Sequence, residues 1–168
     1  MHKYFRIVVT IAAALLLLAG ASGSSLAQQS RSGGLGLTLD DWDELFGPGQ
    51  AGQSLMSYEM EGGQTLYVGV EDDVVDSIQI NLETSDSGAL SVDDARDLVE
   101  SLVPNDAELE ESFTAPVIAP GTYTITTELW ESDWLEDQFR HDREHFTVIY
   151  QQTGLEPLIT SITIIVED

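Results

Sequence analysis

Leu37-Thr-Leu-Asp-Asp-Trp-Asp-Glu-Leu45 decides how the chain is read, because a version of it returns as Leu90-Ser-Val-Asp-Asp-Ala-Arg-Asp-Leu98. Each copy carries the marks of a helix start. A hydroxyl stands at the cap, aspartates follow where the positive end of the helix dipole favours carboxylates, and apolar residues recur at helical spacing. In the first copy Leu39, Trp42, Leu45 and Phe46 form the apolar stripe, and Gly47-Pro48-Gly49 stops the helix. In the second, Val92, Ala95, Leu98, Val99 and Leu102 form the stripe before Pro104. The copies lie fifty-three residues apart, a length that fits one helix followed by a small antiparallel meander.

Outward from the first helix, the period changes to two. Leu55 to Met60, Thr65 to Val70 and Val74 to Leu82 read as three strands separated by Glu61-Gly62-Gly63-Gln64 and Glu71-Asp72-Asp73, both turn-forming. After the second helix, Glu108 to Phe113 and Tyr123 to Trp130 read as strands, and Ser132 to Arg140 as a short helix with Trp134, Leu135 and Phe139 inward. Phe146 to Tyr150 and Ile159 to Val166 close the chain as a hairpin, and the β-branched content of the last run predicts a central or well-covered strand. The expected fold is α+β: two pseudo-repeats, residues 37–89 and 90–168, each a helix packed on an antiparallel β-meander, sharing one sheet within a single domain.

What precedes the first helix reads differently. His2, Lys3 and Arg6 are followed by an apolar run from Ile7 to Gly20 and by small residues around Ser25-Leu26-Ala27, the pattern of a cleaved signal peptide over residues 1–27. The fourteen-residue run is shorter than a bilayer span needs. No cysteine follows it, so there is no lipobox. A secreted or extracytoplasmic protein is expected, with no membrane insertion after signal cleavage. Gln28 to Gly36, rich in Ser, Gly and Gln, reads as a flexible leader.

Charge narrows the partners. The sequence holds 6 Lys and Arg against 30 Asp and Glu, for a formal charge of −24. Without the first 27 residues the count is four arginines, no lysine and all thirty acids, or −26. A polyanion of this kind repels nucleic acid and anionic lipid, so neither is an expected partner. Solubility in a salty or acidic exterior accounts for the acidity, and attraction to a protein of basic or mixed charge, or to divalent cations, is the alternative. With no cysteine, stability comes from burial without disulfides.

The residues that could carry chemistry are few. His141-Asp-Arg-Glu144-His145 matches the H-x-x-E-H pattern of inverse zinc peptidases, in which two imidazoles four apart on one helix face hold the ion. The residues that follow read as strand, and no downstream helix is there to deliver a third ligand. A solvated loop, or metal binding by His141, Glu144 and His145 without catalysis, are the other readings. No serine stands in a G-x-S-x-G elbow. Glu71-Asp72-Asp73 with Asp76 lacks the calcium-loop pattern and reads as a charged hairpin turn. No cofactor is implied, and a non-enzymatic protein is expected. Tyr67, Trp130 and Tyr150 are the expected binding anchors, on the sheet face turned away from the helices.

Gly36-Leu37-Thr38, Trp42 and Leu45-Phe46-Gly47-Pro48 together resemble the opening helix of two groups of proteins. One is the small lipoprotein subunit of the outer-membrane β-barrel assembly machine, and the other is the secreted β-lactamase inhibitor protein, which uses such a unit in tandem. The likeness covers about a dozen residues and is echoed at 90–98, while the lipobox cysteine of the first and the cysteines of the second are missing here. It implies a helix-on-sheet module whose sheet face serves as a protein-binding platform, and an inhibitor-like or envelope-accessory role.

Overall fold

In a computed structural model the chain is described over residues 32–52, 54–60, 63–82, 88–115, 123–139, 143–153 and 158–167. The expected signal peptide and His141 lie outside these residues. The fold is α+β, with three helices and a nine-stranded antiparallel sheet among the described residues. In chain order the elements are α1 (Leu39–Phe46), β1 (Gln50–Ala51), β2 (Met56–Glu59), β3 (Thr65–Glu71), β4 (Val74–Asn81) and β5 (Leu90–Ser91), followed by α2 (Val92–Glu100), β6 (Glu108–Thr114), β7 (Tyr123–Glu131), α3 (Asp133–Gln138), β8 (His145–Thr153) and β9 (Leu158–Val166). Across the sheet the order is β1-β2-β3-β4-β9-β8-β7-β6, with β5 paired to β9. As the β-branched run predicts, β9 sits between β4 and β8. No helix among the described residues is long and apolar enough to cross a membrane.

Both helix starts fold as their sequences dictate. The Thr38 hydroxyl accepts from the Asp41 amide at 3.2 Å and donates to the Asp41 carboxylate at 2.7 Å. The Ser91 hydroxyl does the same with Asp94, at 3.1 and 2.6 Å. Each cap satisfies an amide that the helix itself leaves without a partner. The stripes are narrower than expected. Trp42 is the buried residue of α1, while Leu45 is 46% exposed. At 100° per residue, Leu39 and Phe46 fall on one side of Trp42 and Leu45 falls about 60° to the other. In α2, Ala95 and Val99 are buried and Val92 is exposed, so the stripe begins one turn later than expected.

One face of the sheet is covered. Tyr58, Leu66, Ile80, Ile162 and Tyr150 form a cross-strand row from β2 to β8, and Val68, Ile78, Ile164 and Val148 form the next. All nine are buried, and Trp42, Ala95, Val99, Trp134 and Leu135 of the three helices join them in one core cluster. The β3-β4 connection is the two-residue turn Asp72-Asp73, at φ +49° and +72°, which matches the twist of the flanking strands. The expected charged hairpin turn is therefore present.

The leader reading needs correction at residues 32–36. Ser32 is bridged to Pro104, and the Gly33 and Leu35 amides donate to the carbonyls of Val103 and Leu102 at the end of α2. The Gly36 amide then reaches the Val75 carbonyl on β4. Leu35 is fully buried. The glycines that suggest flexibility serve close approach instead. A Cβ at Gly34 would stand 2.4 Å from the Trp42 ring, and one at Gly36, where φ is +80°, would stand 2.5 Å from Trp134 and 2.7 Å from Leu135. Residues 32–37 form a strap that lies against Trp42 of α1, Trp134 and Leu135 of α3, and the turn that follows α2.

Candidate binding face and its acidic end

Alternation places a second set of side chains on the opposite face of the sheet, where no helix among the described residues packs. Its central row runs Ser57, Tyr67, Gln79, Thr163, Ile149, Thr127 and Phe113, one residue from each of β2, β3, β4, β9, β8, β7 and β6. Flanking rows bring Asn81, Ser161, Gln151 and Ile125 on one side, and Ser77, Ile165, Thr147 and Leu129 on the other. Four large apolar side chains on this face are open to solvent: Tyr67 at 39%, Ile125 and Ile165 at 42%, and Phe113 at 63%. Interspersed Thr, Ser and Gln supply hydrogen-bonding groups, so the surface is amphipathic rather than greasy.

Of the three expected anchors, the structure leaves Tyr67 on this open face and puts the other two in the core. Trp130 is 7% exposed and Tyr150 3%, both on the covered face. The reason is register, because the side-chain period of a strand is two and a one-residue error moves every assignment across the sheet. Tyr150 pairs with Ile162, Trp130 with Phe146, and the two rings of the latter pair stack at 6.1 Å. The open face uses instead Phe113, Ile125 and Ile165.

A charged group shares the covered face of β7 with Trp130. Glu128 has no exposed surface and accepts from the Arg96 guanidinium of α2 and from the Tyr150 hydroxyl at 3.1 Å. The hydrogen bond to Glu128 holds the Arg96 guanidinium above its ordinary range, against the opposing effect of burial. Burial, followed by the Glu128 charge and hydrogen bond, pushes the Tyr150 phenol up as well. Both partners are thus kept in the donor form. The network ties α2 to the sheet through a carboxylate that has no exposed surface, so its role is architectural. The signal was available: Thr126, Glu128 and Trp130 share one side of a period-two run, and a carboxylate at such a position needs a buried partner.

At the far side of the molecule, Phe46, Pro48, Tyr58, Glu59 and Tyr67 line an open cleft of about 340 Å³ below the C-terminal end of α1. There the Tyr58 hydroxyl donates to Asp43 at 2.8 Å, and burial with that bond pushes its phenol up to about 12. The cleft is continuous with the open face through Tyr67.

The H-x-x-E-H stretch is not helical where it is described. His145 opens β8 and pairs with Glu131 of β7, while Glu144 lies just outside the strand. His145 and Glu131 project to the open-face side, since their neighbours Phe146 and Trp130 point into the core. A shift in register between Leu109 and Glu111 of β6 leaves Glu110 outside the ladder. Its carboxylate meets the His145 Nε2 at 3.4 Å, and the Nδ1 faces Glu144 at 3.8 Å. Donor atoms of Glu110, Glu131 and His145 all lie within 4.8 Å of one another. Neither glutamate stands near the histidine in sequence, so spacing could not reveal the group.

No family model matches the chain, and neither a curated protein nor a solved structure is a significant match.

Proposed function

We propose that this protein is a secreted or extracytoplasmic, non-enzymatic interaction domain that seats a protein of basic or mixed charge on its open sheet face. The exposure of Tyr67, Phe113, Ile125 and Ile165 on one side of a single sheet carries the reading. Aromatic side chains such as Tyr67 and Phe113, spread across a rigid sheet among apolar and polar neighbours, are common anchors of protein association, and a polar rim sets register. The charge of −26 beyond residue 27 selects against acidic partners and speeds encounter with basic ones. The inhibitor-like or envelope-accessory role implied by the sequence likeness fits a platform of this form.

The tandem origin of the fold belongs to the same proposal. Its support is the equivalence of the two helix starts. Thr38 bridges to Val74, the first residue of β4, and Ser91 pairs with Leu158, the first residue of β9. Those two strands are neighbours at the middle of the sheet, as a duplicated helix-plus-meander unit joined along its last strand would require.

The test is capture from the exterior fraction with the wild type and with a Tyr67→Ser, Phe113→Ser, Ile165→Ser triple variant. All three side chains are exposed, so melting should be unchanged while recovery of a basic partner falls about tenfold or more. Equal recovery by the two proteins would remove the proposal. Sedimentation that finds a wild-type dimer, dissolved in the variant, would assign the face to a second copy of the chain instead.

A further inference from the structure

We infer that Glu110, Glu131 and His145 form a site for one divalent ion of the zinc class, at the acidic end of the open face. The three residues come from three adjacent strands, β6, β7 and β8, whose pairing is fixed by the sheet rather than by a loop. Glu131 and His145 are direct cross-strand partners, and the irregularity in β6 takes Glu110 out of the ladder and turns it toward them. Strand irregularities of this kind commonly re-aim one side chain.

The imidazole sets this group apart from the other acidic clusters of the chain. Asp40-Asp41 and Asp93-Asp94 occupy first turns of helices, and Asp72-Asp73 make a hairpin turn, so each is accounted for by backbone geometry. A nitrogen donor with two carboxylates suits zinc and its neighbours, whereas calcium and magnesium prefer oxygen alone. Around tetrahedral zinc, with bonds of about 2.0–2.2 Å, neighbouring donor atoms stand about 3.3 Å apart. His145 Nε2 and the Glu110 carboxylate are already 3.4 Å apart. The remaining donors fall within 4.8 Å, and Glu110 is exposed, so a small side-chain rotation closes the set.

The surroundings favour a cation as well. Glu144 places its carboxylate 3.8 Å from the other imidazole nitrogen, adding negative charge on that side of the ring. Glu167, whose carboxylate is held by Thr147 two residues along β8, and Glu108, opposite Glu131, add negative charge. Three protein donors leave a fourth position open to water. All three belong to this chain, so the site stands apart from the docking proposal and can survive its failure.

The experiment is calorimetric titration of the protein with zinc chloride at neutral pH and about 0.15 M salt, in the presence of excess calcium to fill the diffuse ion atmosphere of the acidic surface. One saturable site is expected. His145→Ala should weaken it by about a hundredfold, and Glu131→Gln and Glu110→Gln by about tenfold each. Glu100→Gln, an exposed acid on α2, should leave it unchanged. Cobalt substituted for zinc should show visible absorption in the wild type and not in His145→Ala. Absence of saturable binding up to about millimolar zinc, equal affinity in His145→Ala, or full displacement by calcium would each overturn the assignment.

Discussion

Glu128 lies between Thr126 and Trp130 on the covered face of β7, with no exposed surface and two donors converging on it. Arg96 keeps 40% of its side-chain surface, so it can hydrate when its partner is removed, whereas the Tyr150 hydroxyl cannot. Glu128→Ala should therefore lower stability by about 2–4 kcal/mol, less than the loss of a fully enclosed ion pair, and Tyr150→Phe by about 1 kcal/mol. Urea unfolding midpoints at constant slope check both values. Residue roles were the least legible part of the sequence. The alternation of β7 and β8 is visible in the sequence but its phase is not, so alternation alone points Trp130 and Tyr150 to the open face while the register buries them. Glu110 and Glu131 were hidden because what joins them to His145 is strand pairing across long sequence separations.

Elements were read more faithfully than residues. The caps at Thr38 and Ser91, the strands after Ser54 and the helix after Ser132 follow from local chemistry that tertiary packing did not override. The strap is the exception. Composition in Ser and Gly describes a linker when nothing surrounds it, and the same glycines permit close packing when helices do. Gly36→Ala tests that distinction, because its new Cβ would overlap Trp134 and Leu135 at φ +80°. Gly88, at φ +68° with nothing within 4 Å, supplies the control. Gly88→Ala should cost about 1–2 kcal/mol from backbone strain alone, and Gly36→Ala about 3 kcal/mol or more. Thermal melts that show equal losses would mean that the strap is held less closely than its hydrogen bonds suggest.

At the scale of the molecule, four arginines and thirty acids beyond residue 27 make self-repulsion a standing load on the fold. Among the described residues, Arg96 pairs with Glu128 and Arg143 with Glu71. Raising sodium chloride from about 0.01 to 0.5 M shortens the screening length from about 30 Å to under 8 Å and should raise the melting temperature by several degrees. A flat response would show that the acids are spaced widely enough to ignore one another. The sheet has a further consequence. Among the described residues its two ribbons, β1 to β4 and β6 to β8, are joined in the sheet through β9, the last of the nine strands in chain order. Until those nine residues arrive, both ribbons present raw edges, so the molecule closes in one late event, and a chain cut before Leu158 loses its keystone rather than its tail.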